Sequence, residues 1–600
     1  MKKLKSKLVA LLMLATLPMA STAFAEGGVE VMHLGVNNTM VRVTGTAKYL
    51  LIPVQESAEE ARVKVLVDGE PAKNFNIRLA MNRVDYLVPF LLTPYEGHRV
   101  LLNIVTTQGR STLREVKDDA CWKEMKLSDT FDTANREQYR PAFHHTPLYG
   151  WMNDPNGMFF KDGTWHLYYQ YNPYGSKWQN MSWGHSTSKD LITWEHQPVA
   201  LEVDGLGHVF SGSSVVDSAG TAGFGKDAIV ALYTSCDASQ YQSMAYSTDG
   251  GTTFRRYPGN PIWDEKAGQW VLTLAHALDH EILFFTSPDL KVWTLQSAFG
   301  KGEGAQDGVW ECPDLFKLKV EGTDEEKWVL ICNLNPGGPF GGSATQYFIG
   351  DFDGKTFTSD TDASGRIPTK WMDFGKDHYA TVSWSGTPQN RRTVIGWMSN
   401  WQYAAEVPTT QYRSANTLPR DLSLFRAPDG EIYLASAPAA ELTALRGTLA
   451  CKAKKATAGK KPRVFELPAA QRGICEILLD IDARKADSVS IDITNKAGER
   501  VALTYNPAAH TLAFDRRNSG LKDFSKDFSA VTVAPTFENG RKVSLRIFID
   551  RSSIEVFGNN GHFVSTNLVF PTQPYSKLSV TSHGGSTKIS NLNIFSIKEQ

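Results

Sequence analysis

The chain is short of cysteine: six in 600 residues, at Cys121, Cys236, Cys312, Cys332, Cys451 and Cys475, far apart and with no C-x-x-C pair. That spacing points away from a disulfide framework and from a thiolate zinc site, and makes buried free thiols the expected state, with room for one disulfide in an oxidising compartment. No group of histidines, cysteines and carboxylates has metal-ligand spacing either, so neither a metal nor a cofactor is expected. Neither sign of charge is in excess. With 63 Lys and Arg against 64 Asp and Glu, the formal net charge is −1, which gives no reason to expect nucleic acid or an anionic membrane as a partner. After the first 25 residues there is no long apolar run, and no membrane span is expected.

The one apolar run, Leu8 to Leu17, follows Lys2, Lys3, Lys5 and Lys7 and precedes the small-residue site Ala23-Phe24-Ala25. It is too short to cross a bilayer and reads as a secretory signal peptide cut after Ala25, which makes the mature protein secreted or periplasmic. Losing the four lysines moves the formal charge only from −1 to −5.

What the chain has in quantity is strand pattern. With 42% hydrophobic and 21% charged residues it is long enough for two or three packed domains. Alternating segments such as Val63 to Val67 before Asp68-Gly69, and Val100 to Val105, predict a small β-domain over residues 26–125. Further on, an Asp-containing turn followed by an aromatic residue recurs four times: Asp190 with Trp194, Asp249 with Phe254, Asp289 with Trp293, and Asp353 with Phe357. Each follows an apolar strand and opens another, as one β-meander per repeat in a propeller would, although unrelated hairpin turns share that composition. The aspartates are separated by 59, 40 and 64 residues, so one repeat is about a strand short. The Ala, Lys and Gly content of residues 441–462 predicts a linker, and alternation over 463–600 predicts a β-sandwich.

The chemistry centres on Trp151-Met152-Asn153-Asp154-Pro155-Asn156-Gly157. Pro155 fixes φ and Asn156-Gly157 tolerate positive φ, which predicts a sharp bend at Asp154, followed by a hairpin through Lys161-Asp162-Gly163. Such a carboxylate between aromatics suits a sugar-cleaving nucleophile; taken alone, the string reads better as an ordinary Asx turn. Retaining glycosidases need a second carboxyl group about 5 Å away. Glu311, in Trp310-Glu311-Cys312-Pro313-Asp314, has the apolar setting that raises a carboxyl pKa, though a strand-end Glu would look the same. Carboxylates 157 residues apart meet only in a closed fold.

These strings resemble glycoside hydrolase family 32, the fructan and sucrose hydrolases, over about residues 140–600. The resemblance implies an all-β chain: a five-bladed β-propeller over 138–440 and a C-terminal β-sandwich, here behind a small extra N-terminal domain. It implies Asp154 as nucleophile and Glu311 as acid/base in hydrolysis through a covalent fructosyl intermediate, with no metal. It also implies substrate contacts from Asn153, Gln170, Trp178, the Phe210-Ser211-Gly212-Ser213 string and Trp397, and it makes Trp371 to Asp377 and Gly396 to Trp401 late propeller strands. A fructan or sucrose is the expected partner. One departure is evident: the family's third motif, R-D-P, whose Asp binds sugar hydroxyls and stabilises the transition state, is missing. Tyr257 to Pro261 and Trp263 to Trp270 resemble its flanks, with only Ile262 between them. Asp264 and Asp279 are the nearest alternatives, and both read as exposed turn residues.

Overall fold

In a computed structural model, residues 23–25, 28–107, 112–134, 137–258, 270–537 and 540–598 are described. Apart from Ala23–Ala25, the expected signal peptide lies outside them, as do Ile262, Trp263 and Asp264. No helix among the described residues is long and apolar enough to cross a membrane. The chain forms two compact units. One gathers the residues up to 135 with Asn172–Asn180 and Val203–Gly205; the other takes the rest.

The first unit holds a six-stranded sheet and a three-stranded one. Alternation places its core as expected: along Ala61–Val67, Ala61, Val63 and Val65 are buried while Arg62 and Lys64 are exposed. The Asp68-Gly69 turn that follows takes φ of 51° and 93°, the left-handed pair that matches strand twist in a tight hairpin.

The second unit contains five sheets in sequence order, one per blade, and two six-stranded sheets that make the sandwich. The recurrent Asp turns join the third strand of a blade to its fourth in blades one, two and four, and the second described strand to the third in blade three. In each, the carboxylate caps the backbone N–H groups just beyond it: Asp190 takes Ile192 and Thr193, Asp249 takes Thr252 and Thr253, Asp289 takes Lys291 and Val292, and Asp353 takes Lys355 and Thr356. The short interval has its counterpart in the third blade. Among the described residues that sheet has three strands, Trp270–His276, Glu281–Ser287 and Thr294–Phe299, whereas each other blade has at least four. Trp270–His276, the first of the three, contains no fully buried residue, while the second strand of blade two, Ala228–Cys236, is buried over most of its length.

Three expectations need correction. The W-M-N-D-P-N-G string is no bend: it lies inside the twelve-residue strand Gly150–Lys161, and the hairpin turn comes only at Asp162 and Gly163. Pro155 is tolerated there because, between Trp151 and the bridge at Phe159, one side of this strand has no ladder partner among the described residues. Residues 441–462 are not a linker. They contain a short 3-10 helix, Ala440–Leu445, and the thirteen-residue strand Arg446–Ala458, which edges a sandwich sheet by pairing with Ser586–Ile597. Lysines along a sheet edge discourage pairing with another chain, and this is why a strand there reads as a polar linker. Finally, Trp371 to Asp377 contributes only the two-residue strand Lys370–Trp371 to a blade, and its aspartates serve the junction with the sandwich.

At that junction Asp373 and Asp377 are buried among strands of both layers. Arg420, with no exposed surface, donates to Asp373 (2.9 Å), Glu555 (2.6 Å) and Thr566 (2.6 Å). Arg516 pairs with Asp377, whose other oxygen accepts from Tyr403 at 2.6 Å. His144 bridges Asp550 at 2.7 Å and Glu555 at 2.9 Å. Burial alone would lower its pKa; hydrogen bonds to the two carboxylates, and then their charges, push it up to about 9.

Candidate functional site

The first strands of the blades pack against one another. Gly150–Lys161 touches His208–Asp217 on one side and Tyr379–Ser383 on the other, and Val309–Lys319 lies against both Tyr379–Ser383 and Trp270–His276. Three of these strands are irregular where they carry polar residues, with register shifts between Val209 and Gly212, Glu311 and Asp314, and Tyr379 and Val382. Bulges of this kind re-aim single side chains out of the ladder alternation. Cys312 and Ala380 sit at them with φ of 45° and 52°. Gly212 is required sterically, since a Cβ there would lie 2.1 Å from the Leu232 carbonyl oxygen.

Asp154 and Glu311 are brought together by this arrangement. Asp154 accepts from Asn153 Nδ2 at 2.9 Å on one oxygen, and on the other from Ser211 Oγ at 2.7 Å and the Cys312 thiol at 3.6 Å. Asn153 is held in turn by the indole N–H of Trp151 at 2.7 Å. Glu311 accepts a short hydrogen bond from the Tyr379 hydroxyl. Burial, and next the charge of Asp154, push Glu311 up to about 7, while the bond from Tyr379 opposes the shift. One carboxylate surrounded by donors beside a second that keeps its proton near neutral pH is the division that nucleophile and general-acid chemistry uses. The Cys312 thiol is pushed well up by burial and then by the two carboxylates, so it stays a neutral donor.

The remaining expected residues fall into two groups. Ser211 and Asn153 touch Asp154 directly. Phe210 packs in the same aromatic cluster as Trp151, Tyr379 and Trp397, and its carbonyl accepts from Trp183 Nε1 at 3.1 Å. Gln170 is buried and donates to the Val209 carbonyl at 3.0 Å, which steadies the strand carrying Ser211. Trp397 has no exposed surface, and its indole nitrogen finds no hydrogen-bond partner among the described residues. It packs against Trp401, with ring centroids 4.8 Å apart. Trp401 is half-buried and stacks on Trp151 at 5.7 Å, and is the more accessible of the pair. Trp178 belongs to the first unit. Asp279, considered as a stand-in for the missing Asp, sits in an exposed turn and pairs with His276 at 3.0 Å.

Sequence reasoning missed Tyr379 and the thiol contact of Cys312. Nothing local marks Tyr379 in Asp377-His378-Tyr379, because its partner is on another blade; Cys312 could have been noticed as the neighbour of Glu311. All six cysteines are free.

The chain has relatives among known proteins. The family described as "Glycosyl hydrolases family 32 N-terminal domain" matches residues 144–438, and the corresponding C-terminal family matches 441–596. A levanase of Bacillus subtilis (strain 168) is 42% identical over 489 residues, which cover 77% of this chain and 71% of the relative. The chain belongs to glycoside hydrolase family 32. It is therefore a glycosidase of the β-fructosidase type. An extracellular exo-inulinase of Aspergillus ficuum is 36% identical, over 77% of this chain and 95% of the relative. The crystal structure of an exo-inulinase from Aspergillus awamori superposes with a TM-score of 0.70 at 34% identity, covering 78% of this chain and all of that one. Residues 35–143 match a domain of unknown function, DUF4980, which is not part of the two family 32 matches.

For this family 32 chain the state of Glu311 sets an expected pH response. With Glu311 read as the general acid, the rate is expected to fall as pH rises through about 7. Tyr379→Phe removes the hydrogen bond that favours the carboxylate, which should move the alkaline limb of kcat/KM to higher pH. A limb that stays put or moves down would contradict the assignment.

Proposed function

We propose that the protein releases fructose or fructo-oligosaccharides from β-fructans (levan, inulin) or from sucrose, outside the cytoplasm, with retention at the anomeric carbon. Asp154 attacks C2 of a fructosyl unit as Glu311 gives its proton to the departing glycosidic oxygen. A water then gives a proton to Glu311 and its oxygen to C2, freeing Asp154. The observation that carries this reading is the pairing of a donor-held Asp154 with a Glu311 raised to about 7 in the same packed centre. The small-residue site ending at Ala25 and the extracellular relatives support export.

A second reading, a catalytically impaired fructan-binding protein, draws support from the third blade, which has three strands among the described residues, and from the missing R-D-P string. Losing one preorganised charge-stabilising group lowers kcat by about 10²–10³-fold. The test is a product profile on levan, inulin and sucrose at high enzyme concentration. Fructose or short oligosaccharides from any of them supports the hydrolase. No product from all three, together with heat of binding to levan or inulin oligosaccharides, selects the binding protein.

A further inference from the structure

Glu311 and Tyr379 stand on the first strands of neighbouring blades, Val309–Lys319 and Tyr379–Ser383. Ladder bonds fix strands within a blade, but these two strands share none among the described residues. Each also departs from regular geometry beside its functional side chain. Cys312 and Ala380 are held at φ of 45° and 52°, a region that residues other than glycine avoid, and the register shifts lie at the same places. Side-chain contacts must therefore hold the Tyr379 hydroxyl where it donates to the Glu311 carboxylate.

Asn333 meets that need. It lies near the end of Glu326–Asn335, the second strand of blade four, opposite Glu311 in register, and has no exposed surface. Its Nδ2 donates to the Cys312 carbonyl at 3.0 Å and to the Thr381 carbonyl at 3.4 Å, while its Oδ1 accepts from Thr381 N at 3.1 Å. One side chain thus binds the residue after Glu311 and both backbone groups of the residue two beyond Tyr379. A second bond to Oδ1 comes from Thr345 Oγ1 at 2.6 Å, on the third strand of the blade, Ala344–Phe352, and fixes the orientation of the amide. Asp314 adds a tie between the same two strands by accepting from Ser383 N at 2.8 Å. The partners of Asn333 need a donor and an acceptor on one short planar group, and neither a carboxylate nor a hydrocarbon supplies both.

We infer that Asn333 is a positioning residue for the acid: it locks the bulged strands of blades four and five together so that the Tyr379 hydroxyl meets Glu311. This rests on the reading of Glu311 as general acid given above. Asn333 acts through the backbone of the two strands. Without the lock Tyr379 moves off Glu311, which loses the bond that favours its carboxylate and titrates at higher pH, as in Tyr379→Phe. The ionisable groups acting on Glu311 are Asp154 from blade one, Cys312 on its own strand, Cys332 on the next and Tyr379 from blade five. On the elements packed against its strand the other charged groups are held in ion pairs of their own: His276 with Asp279, Arg420 with Asp373, Asp421 with Arg391, Arg426 with Glu325, Lys327 with Asp351 and Glu326 with Lys317.

The test uses the full-length protein and two readouts: the alkaline limb of kcat/KM, and a carboxyl-resolved NMR titration in which Glu311→Gln identifies the signal. Asn333→Leu keeps bulk, makes no hydrogen bond and adds no charge. It is compared with Tyr379→Phe, the double variant and the unmodified chain, with thermal melts as folding controls. Thr345→Val is a milder probe that removes one bond to Asn333. In Asn333→Leu the limb and the Glu311 titration are expected to move to higher pH about as far as in Tyr379→Phe. The double variant should move no further, since both substitutions remove the same contact, and Thr345→Val should move the same way by less. An unmoved Glu311 titration in folded Asn333→Leu, or shifts that add in the double variant, overturns the inference while the acid reading stands. A kinetic limb that does not follow the Glu311 titration overturns the acid reading, and the NMR titration alone then decides the inference. Should Asn333→Leu not fold, an unmoved Glu311 titration in folded Thr345→Val overturns it equally.

Discussion

Asp154→Asn is expected to lower the rate of fructose release by about 10⁴-fold or more, the scale on which removing a reacting group acts. The substitution changes almost no volume, and the contacts from Ser211 and Cys312 to the second oxygen have a counterpart on an amide. What disappears is the ability to form an ester with C2 of the sugar. A second consequence follows from the coupling between the two groups. The charge of Asp154 helps to raise Glu311, so Glu311 in the variant should titrate at lower pH, which a carboxyl-resolved NMR titration would read. Melting near the unmodified temperature would show that the fold is kept. A residual rate within tenfold of the parent would remove Asp154 from the role of nucleophile.

The largest expected effect on stability comes from Arg420→Met. Arg420 carries the positive charge facing Asp373 and Glu555, with no side-chain exposure on Arg420 or Glu555 and almost none on Asp373. Methionine roughly fills the space but leaves two buried carboxylates with reduced compensation, a situation that costs about 3–5 kcal/mol. Urea unfolding followed by fluorescence would measure it, and a loss below 1 kcal/mol would show that the network is not a determinant of stability. The same network sets a pH response. His144 is raised from 6.5 to about 9, so its contribution is complete below 6.5 and is lost as pH rises through 9. Stability of the unmodified protein should decline over that interval, and His144→Gln should flatten the decline.

How far the sequence could be read depended on the range of the interaction. Strand alternation and the Asp turns are local, since each turn is closed by hydrogen bonds within four residues, and so the propeller repeat and the short second interval are visible in the string. The strand Arg446–Ala458 was misread because its lysines answer to an edge position, which only pairing with Ser586–Ile597 defines. The bend expected at Asp154 failed for a related reason: Pro155 is a turn residue by propensity, but the open side of an innermost strand accommodates it.

Asp154 and Glu311 stood out in the sequence through their neighbours. Their relation did not, because a raised Glu311 needs burial and the charge of a residue 157 positions away. The sequence by itself determined the all-β architecture and the family, and singled out Asp154 and Glu311 as the candidate carboxylates, since these reside in local pattern and short strings. Only the tertiary structure decided that Tyr379 and Cys312 touch those carboxylates, and that Trp397 is buried while Trp401 is more open. Each of those facts is a contact between strands distant in sequence, and no spacing along the chain encodes it.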